Sequence, residues 1–318
     1  MSLFLSILSN SILPIFILIA LGFAIDKQFN LDIGTLTKIN FYLYVPAFSF
    51  VLIFTTDISI DLIRVILLHV TLLALSFVTG AVIAKFLKLP TKTKKAFENA
   101  LMFYNSGNIG VSLVTLVFSN KPFASDGAAP FLQAALSVQI MALLVQNLSI
   151  NTIGFINSGG DGMTPKKGAL RVLKMPTLYA VSCAILFKFV PFDFTRLPVW
   201  PAFMNLRSGL VGVALITLGV QLSKTKINIR KKLPYLAASI RLIGGPAAAY
   251  LLIRLFGFTG ILAQAVFISA STPTAVNTAF LSNECRGDEE FAVQTVTVAT
   301  ILSAVTMTSA VYLAYIIF

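Results

Sequence analysis

Apolar stretches recur from one end of the chain to the other, separated by short polar segments rich in lysine, glycine and proline. Each is close to the roughly 20 residues that a helix needs to cross about 30 Å of hydrocarbon. Segments 12–25 and 65–84 are apolar on every face, whereas a membrane β-strand alternates apolar and polar over about 10 residues. The pattern therefore predicts an all-α membrane protein with about 10 transmembrane helices, near 3–25, 35–55, 62–87, 96–119, 129–155, 170–189, 199–222, 233–256, 260–282 and 289–317. These are called predicted spans 1 to 10 below. The first is long enough to span and lacks the basic start of a signal peptide, so it reads as a retained helix.

Even numbers of spans put both termini on one side. Connections after the odd-numbered spans carry the basic clusters Lys92/Lys94/Lys95, Lys166/Lys167, Lys224/Lys226 and Arg230/Lys231/Lys232, whereas the opposite face carries Arg64, Lys121, Lys188, Arg196 and Arg254. By the positive-inside rule the odd connections face the cytoplasm of a cell (inner) membrane and both termini lie outside. The net charge of +12 is thereby accounted for by topology, and no nucleic-acid partner is expected. Composition agrees: 57% of the 318 residues are hydrophobic and 11% charged, with a mean hydropathy of +0.89. Such a chain has more apolar surface than one soluble core could bury.

The longest polar stretch, 157–168, divides the chain into a first five-helix repeat (1–156), a cytoplasmic linker (157–168) and a second five-helix repeat (169–318). Five helices per half force the halves into opposite orientations. Segment 103–120 also aligns without a gap on 267–284, at an offset of 164, with Phe103 on Phe267, residues 105–108 on 269–272 and Gly110 on Thr274. Two inverted repeats are a common plan in secondary transporters.

The polar residues of interest fall at those matching places. Span 4 holds Asn105, Ser106, Gly107, Asn108, Gly110 and Ser112; span 9 holds Ser269, Ser271, Thr272, Pro273, Thr274 and Asn277. Both spans are expected to break near mid-membrane, since Pro273 removes a donor and clashes with the preceding turn. A broken helix leaves backbone groups that hydrocarbon does not tolerate unless protein, water or a ligand satisfies them. Half-helix N-termini suit an anion; freed carbonyls and side-chain oxygens suit a cation. Close helix packing by small residues explains such clusters too, but not three buried asparagines.

Arg207 and Arg241 lie deep in spans without an acidic neighbour in sequence, and meet either a substrate carboxylate or backbone and interface groups. Glu98 and Glu284, at the cytoplasmic ends of spans 4 and 9, and Asp57, at the outer end of span 2, are candidates for proton or cation coupling, or else solvated end charges. His69 reads as packing, with a proton relay as the alternative. Gln133, Gln139, Gln146, Asn147 and Asn151 give span 5 a polar stripe that suits a cavity wall or interhelical bonds. No HExxH, GxSxG or Walker pattern occurs, and Cys183 and Cys285 have no metal or redox spacing. The chain is not expected to be an enzyme or to hold a metal or cofactor, a coupling proton or sodium ion aside.

Four segments together resemble the auxin efflux carrier family of permeases: NFYLYVPAFSFVLIF (40–54), NSGNIGVSLVTLVF (105–118), STPTAVNTAFLSNE (271–284) and TVTVATILSAVTM (295–307). The resemblance implies the ten-helix inverted-repeat fold shared with bile-acid sodium symporters, with helices 4 and 9 broken and crossing at the substrate site, and Asn105, Gly110 and Pro273 at the crossing. Where that family usually has proline after the helix 4 glycine, this chain has Ser112, so its break is expected to rest on Gly107 and Gly110.

The expected function is secondary transport of a small organic anion, a carboxylate such as malate or malonate or an auxin-like acid, by alternating access. Its binding residues would be Asn105, Asn108, Gly110, Thr272, Pro273, Asn277, Arg207 and Arg241. The alternative is a sodium-coupled symporter with Asn108, Ser271 and Asn277 oxygens around the cation; a non-transporting membrane sensor is the third reading. Expected partners are the anion, the bilayer and, as a further candidate, a second copy of the chain in a homodimer.

Overall fold

The computed structural model describes residues 3–57, 59–125, 128–159, 164–225 and 231–318. Lys226, Arg230 and residues 160–163 of the predicted linker lie outside the described residues. Within them every regular element is a helix, and no strand occurs. The helices are α1 (Leu3–Phe29), α2 (Ile33–Thr55), α3 (Ile60–Phe86), α4 (Thr91–Met102), α5 (Ser106–Phe118), α6 (Leu132–Asn157), α7 (Pro165–Leu173), α8 (Pro176–Phe187), α9 (Trp200–Ser223), α10 (Lys232–Phe256), α11 (Gly260–Ala270), α12 (Asn277–Glu284) and α13 (Glu289–Ile317).

Seven of these, α1, α2, α3, α6, α9, α10 and α13, are long and apolar enough to cross a membrane, and α7 with α8, bent by 61°, makes up to eight. The difference from the expected ten has a local cause. Predicted spans 4 and 9 are each divided in two, α4 with α5 and α11 with α12, and neither half is long enough alone. Span 6 bends at Lys174–Met175, just before Pro176, whose ring keeps the preceding residue extended. The outer surface is greasy, with Phe86, Leu255 and Ile60 among the most exposed side chains, as suits contact with lipid.

Prolines shape the long helices in a repeated way. Residues 8–12, 40–44 and 240–244 wind as wide π-type turns, and each is followed two residues later by a proline, Pro14, Pro46 and Pro246. Widening the turn absorbs the missing N–H and the ring clash without ending the helix. Aspartate caps start two helices: the Asp32 carboxylate accepts from the N–H of Gly34 and Thr35 at 3.1 Å each and starts α2, and Asp288 accepts from Phe291 N at 3.0 Å and starts α13.

The helices pack in two groups. In the first, α1 lies along α9, and α2 lies against both α8 and α9. The α1–α9 crossing is backbone on backbone: a Cβ on Gly219 would stand 2.0 Å from the Ile19 carbonyl oxygen, and one on Gly22 would stand 2.2 Å from that of Ile216. Below it Lys224 pairs with the buried Asp26 at 3.1 Å, and Lys27 donates to the Ser223 carbonyl at 2.8 Å. The second group joins α3, α4, α6, α10, α11 and α13, with the halves α5 and α12 beside α6 and α13. The functional groups gather between the two.

Candidate functional site

The breaks of the two divided spans meet. Between α4 and α5 the chain leaves the helix at Phe103–Asn105, and between α11 and α12 it runs through Ser271–Val276. Asn105 N donates to Pro273 O at 2.7 Å and Ala275 N to Phe103 O at 2.8 Å, an antiparallel bridge centred on Tyr104 and Thr274. Each break thus satisfies donors that the other would leave bare, as the membrane interior requires. Side chains complete the pairing. Gln146 Oε1 accepts from Tyr104 N at 3.2 Å, Gln139 Nε2 donates to Ser106 O at 2.6 Å, and Thr274 Oγ1 donates to Ala100 O at 3.0 Å. The polar stripe of α6 therefore serves the breaks and also walls the site.

Beside the bridge lies a cavity of ≈ 90 Å³ between the two helix groups. Its floor is Tyr104, Asn105 and Asn108 with Ala275 and Asn277; α6 contributes Gln146 and Asn147, and the other group contributes Thr37 and Asn40 from α2 and Thr217 and Gln221 from α9. Among the described residues its polar lining consists of amides, hydroxyls and backbone, with no ionic side chain. A larger cavity of ≈ 600 Å³ shares Gln221 and Val276 with it and continues between α9, α12 and α13 to Lys224, Glu289 and Glu290. The two cavities adjoin at those shared residues.

Asn105 holds the centre. It is 5% exposed, and its Oδ1 caps α5, accepting from Asn108 N at 3.1 Å and Ile109 N at 3.4 Å. That leaves its Nδ2 donor without a hydrogen-bond partner, and Gln146 Nε2 is in the same condition. Both residues belong to the cavity wall, beside the positive end of α5. Asn108 Oδ1 accepts from Asn40 Nδ2 at 3.1 Å, linking the two helix groups across the cavity.

The other residues singled out in the sequence divide clearly. Asn108 and Asn277 line the cavity with Asn105, but Asn108 is half-buried and Asn277 exposed, so of the three asparagines expected to be buried Asn105 alone is. Thr272 and Ser271 are buried in the second break and donate to Ser269 O at 2.8 Å and Phe267 O at 2.7 Å, away from the lining. Pro273 contributes its carbonyl to the bridge. Gly110 lies a turn beyond the cap, where a Cβ would stand 2.5 Å from Gln139 Nε2. The break falls at Phe103–Asn105, before both glycines and not on them; Ser112 Oγ donates to Asn108 O at 2.6 Å inside α5. The oxygens of Asn108, Ser271 and Asn277 are not brought to one wall.

Neither arginine lines the central cavity. Arg207, half-buried on α9, donates to Gln133 Oε1 at 3.3 Å. Arg241 is 2% exposed and donates to the carbonyls of Leu101, at 3.3 Å, and Ala270. Glu98 differs in position from its expected place at a helix end. Because α4 begins at Thr91, Glu98 is two turns inside the helix and 3% exposed, with Lys94 Nζ at 3.9 Å. Glu284 ends α12 and pairs with Arg171; Asp57 is exposed after α2. His69 Nδ1 shares a hydrogen bond of 2.9 Å with Tyr104 OH behind the bridge. Among the described residues no group of His, Cys, Asp and Glu could hold a metal.

Sequence reasoning missed Asn40, Thr37, Thr217 and Gln221. Asn40 opens the motif at 40–54 and sits in the wide turn before Pro46, a position that turns it toward the cavity.

Long apolar helices and a greasy surface around a polar cavity indicate an integral membrane protein. Residues 162–311, just under half of the chain, match the family model described as membrane transport protein. That family is the one of auxin efflux carrier-type permeases, and the match bears out the resemblance carried by the motifs. No curated protein matches the chain.

Proposed function

We propose that this protein is a secondary carrier that moves a small organic anion, a carboxylate such as malate or malonate or an auxin-like acid, by alternating access through the cavity at the paired breaks. The observation that carries the reading is that two residues of the cavity wall at the start of α5, Asn105 and Gln146, each keep a buried amide donor, Nδ2 and Nε2, without a hydrogen-bond partner. A buried donor without a partner costs about 1–3 kcal/mol, and a carboxylate oxygen relieves it. The charge is balanced by the helix dipole in place of a cationic side chain, an arrangement known for half-helix N-termini in transporters. An uncharged lining also suits a carrier, since the substrate must leave as readily as it arrives.

A ten-helix, inverted-repeat architecture with α4/α5 and α11/α12 as crossing broken spans is supported by reciprocal packing. Exchanging span n with span n + 5 turns the α1–α9 contact (spans 1 and 7) into the α8–α2 contact (spans 6 and 2), and both are extensive. The same exchange turns α3 against α4 into α10 against α11, which also pack. Motion of the α1, α2, α8, α9 group against the rest would open the cavity to alternate sides, breaking and remaking the Asn40–Asn108 bond. The larger, adjoining cavity ends at residues of the odd connections, Lys224, Glu289 and Glu290, so under the proposed topology in the cell membrane the open side is the cytoplasm.

The test is binding to the purified full chain. Malate, malonate or indole-acetate should raise its thermal midpoint in a saturable way, while the corresponding neutral amides should not. Equal stabilisation by acids and amides, or none by any acid, would overturn the organic-anion assignment.

A further inference from the structure

The second large feature at the breaks lies behind the bridge. Helices α4 and α11 both end there, with Met102 and Ala270 as their last residues. The carbonyls at a helix C-terminus carry roughly half a negative charge and lack intrahelical donors. Two such ends meeting inside the membrane form a carbonyl-lined site of the kind that takes a cation. Arg241 reaches it from the wide turn of α10, Nη1 donating to Leu101 O at 3.3 Å and Nη2 to Ala270 O. The guanidinium also lies over the Tyr104 ring, 5.1 Å from its centroid, in cation–π geometry.

The site is shaped for this group. Gly245, one helical turn after Arg241, leaves the space: a Cβ there would stand 2.3 Å from Nη2 and 2.5 Å from Cζ. An arginine keeps its charge at any ordinary pH, and a charge so deep needs compensation that these acceptors supply. Its planar fork addresses two carbonyls at once.

We infer that Arg241 is a tethered internal cation: its guanidinium occupies the carbonyl site between the C-termini of α4 and α11, so the two half-helix ends need no bound metal ion there. The break region then carries its own positive charge and is indifferent to sodium, whatever the substrate on the other side of the bridge. The inference does not depend on the identity of the transported anion.

Thermal unfolding of the purified full chain tests it. Wild type should melt at the same temperature in sodium, potassium and choline chloride of equal ionic strength. Arg241→Ala should melt lower and should be raised by low-millimolar guanidinium, which leaves wild type unmoved. Arg241→Lys, which keeps the charge but reaches one carbonyl, should fall between the two and covers the case in which the alanine variant does not fold. A rise specific to sodium in wild type, an Arg241→Lys variant no more stable than Arg241→Gln, or a folded Arg241→Ala blind to guanidinium would each overturn the inference.

Discussion

The backbone N–H of Asn105 donates to the carbonyl of Pro273 at 2.7 Å, joining residues 168 positions apart in the middle of an apolar protein. Pro273 has no N–H to offer its own helix, and its free carbonyl is taken by the residue whose side chain caps α5. One contact thus fixes the height of both breaks, beside the cavity that Asn105 lines.

The two ends of the Asn105 amide should separate experimentally. Asn105→Asp keeps the oxygen that caps α5 but removes Nδ2, so it should melt near wild type and lose carboxylate-induced stabilisation. Asn105→Ala loses both and should also be destabilised by about 1 kcal/mol. Thermal melts with and without malonate read both effects.

Gln146 supports the break from α6 through its bond to Tyr104 N. Gln146→Leu should cost about 1–3 kcal/mol, because a buried N–H is left without an acceptor. Gln146→Glu retains an acceptor and should keep most of that stability while repelling an anion. Comparing melts and malonate binding for the two variants checks the division.

The α1–α9 crossing tolerates no side chain at its centre. Gly219→Ala places a Cβ against the Ile19 carbonyl and should destabilise the protein by at least the roughly 1–3 kcal/mol of overpacking. Gly212→Ala, on the same helix with nothing within 4 Å of the added atom, should be neutral. Detergent melting curves distinguish them.

Asp32 gives one pH effect outside the spans. The Thr35 hydroxyl, and then the N–H groups of Gly34 and Thr35, hold its carboxyl below the ordinary value of 3.8. Its cap is therefore fully present above that value and is lost as pH falls through the lower folded-state pKa. Amide exchange at Gly34 and Thr35, corrected for intrinsic rates, should accelerate in that acid range in wild type; Asp32→Asn should show no such transition.

How much of this was legible in the sequence depends on what each feature is made of. The breaks were legible because Asn105, Asn108 and Pro273 are costly in an apolar span, whereas Asn277 proves to be exposed. Their height was harder: the glycines at 107 and 110 looked like the weak points, yet the chain opens at Phe103–Asn105, where Gln146 and the second break supply partners. The start of α4 was hidden because Lys92, Lys94 and Lys95 read as a loop, and cations are poor company for a helix N-terminus. The partners of Arg241 had no signature at all, since backbone carbonyls leave no mark in a sequence. Asn40 was visible, but only the wide turn before Pro46 brings it to the cavity.

Gradient-driven uptake into proteoliposomes tests the central claim most directly. Labelled malate, malonate and indole-acetate would be offered to wild type and to the stably folded Asn105→Asp variant, under imposed pH and sodium gradients. The account predicts saturable uptake of at least one acid by wild type, a sharp loss in Asn105→Asp, and no requirement for sodium. Uptake unchanged in the variant, or no movement of any acid under any gradient, would contradict it.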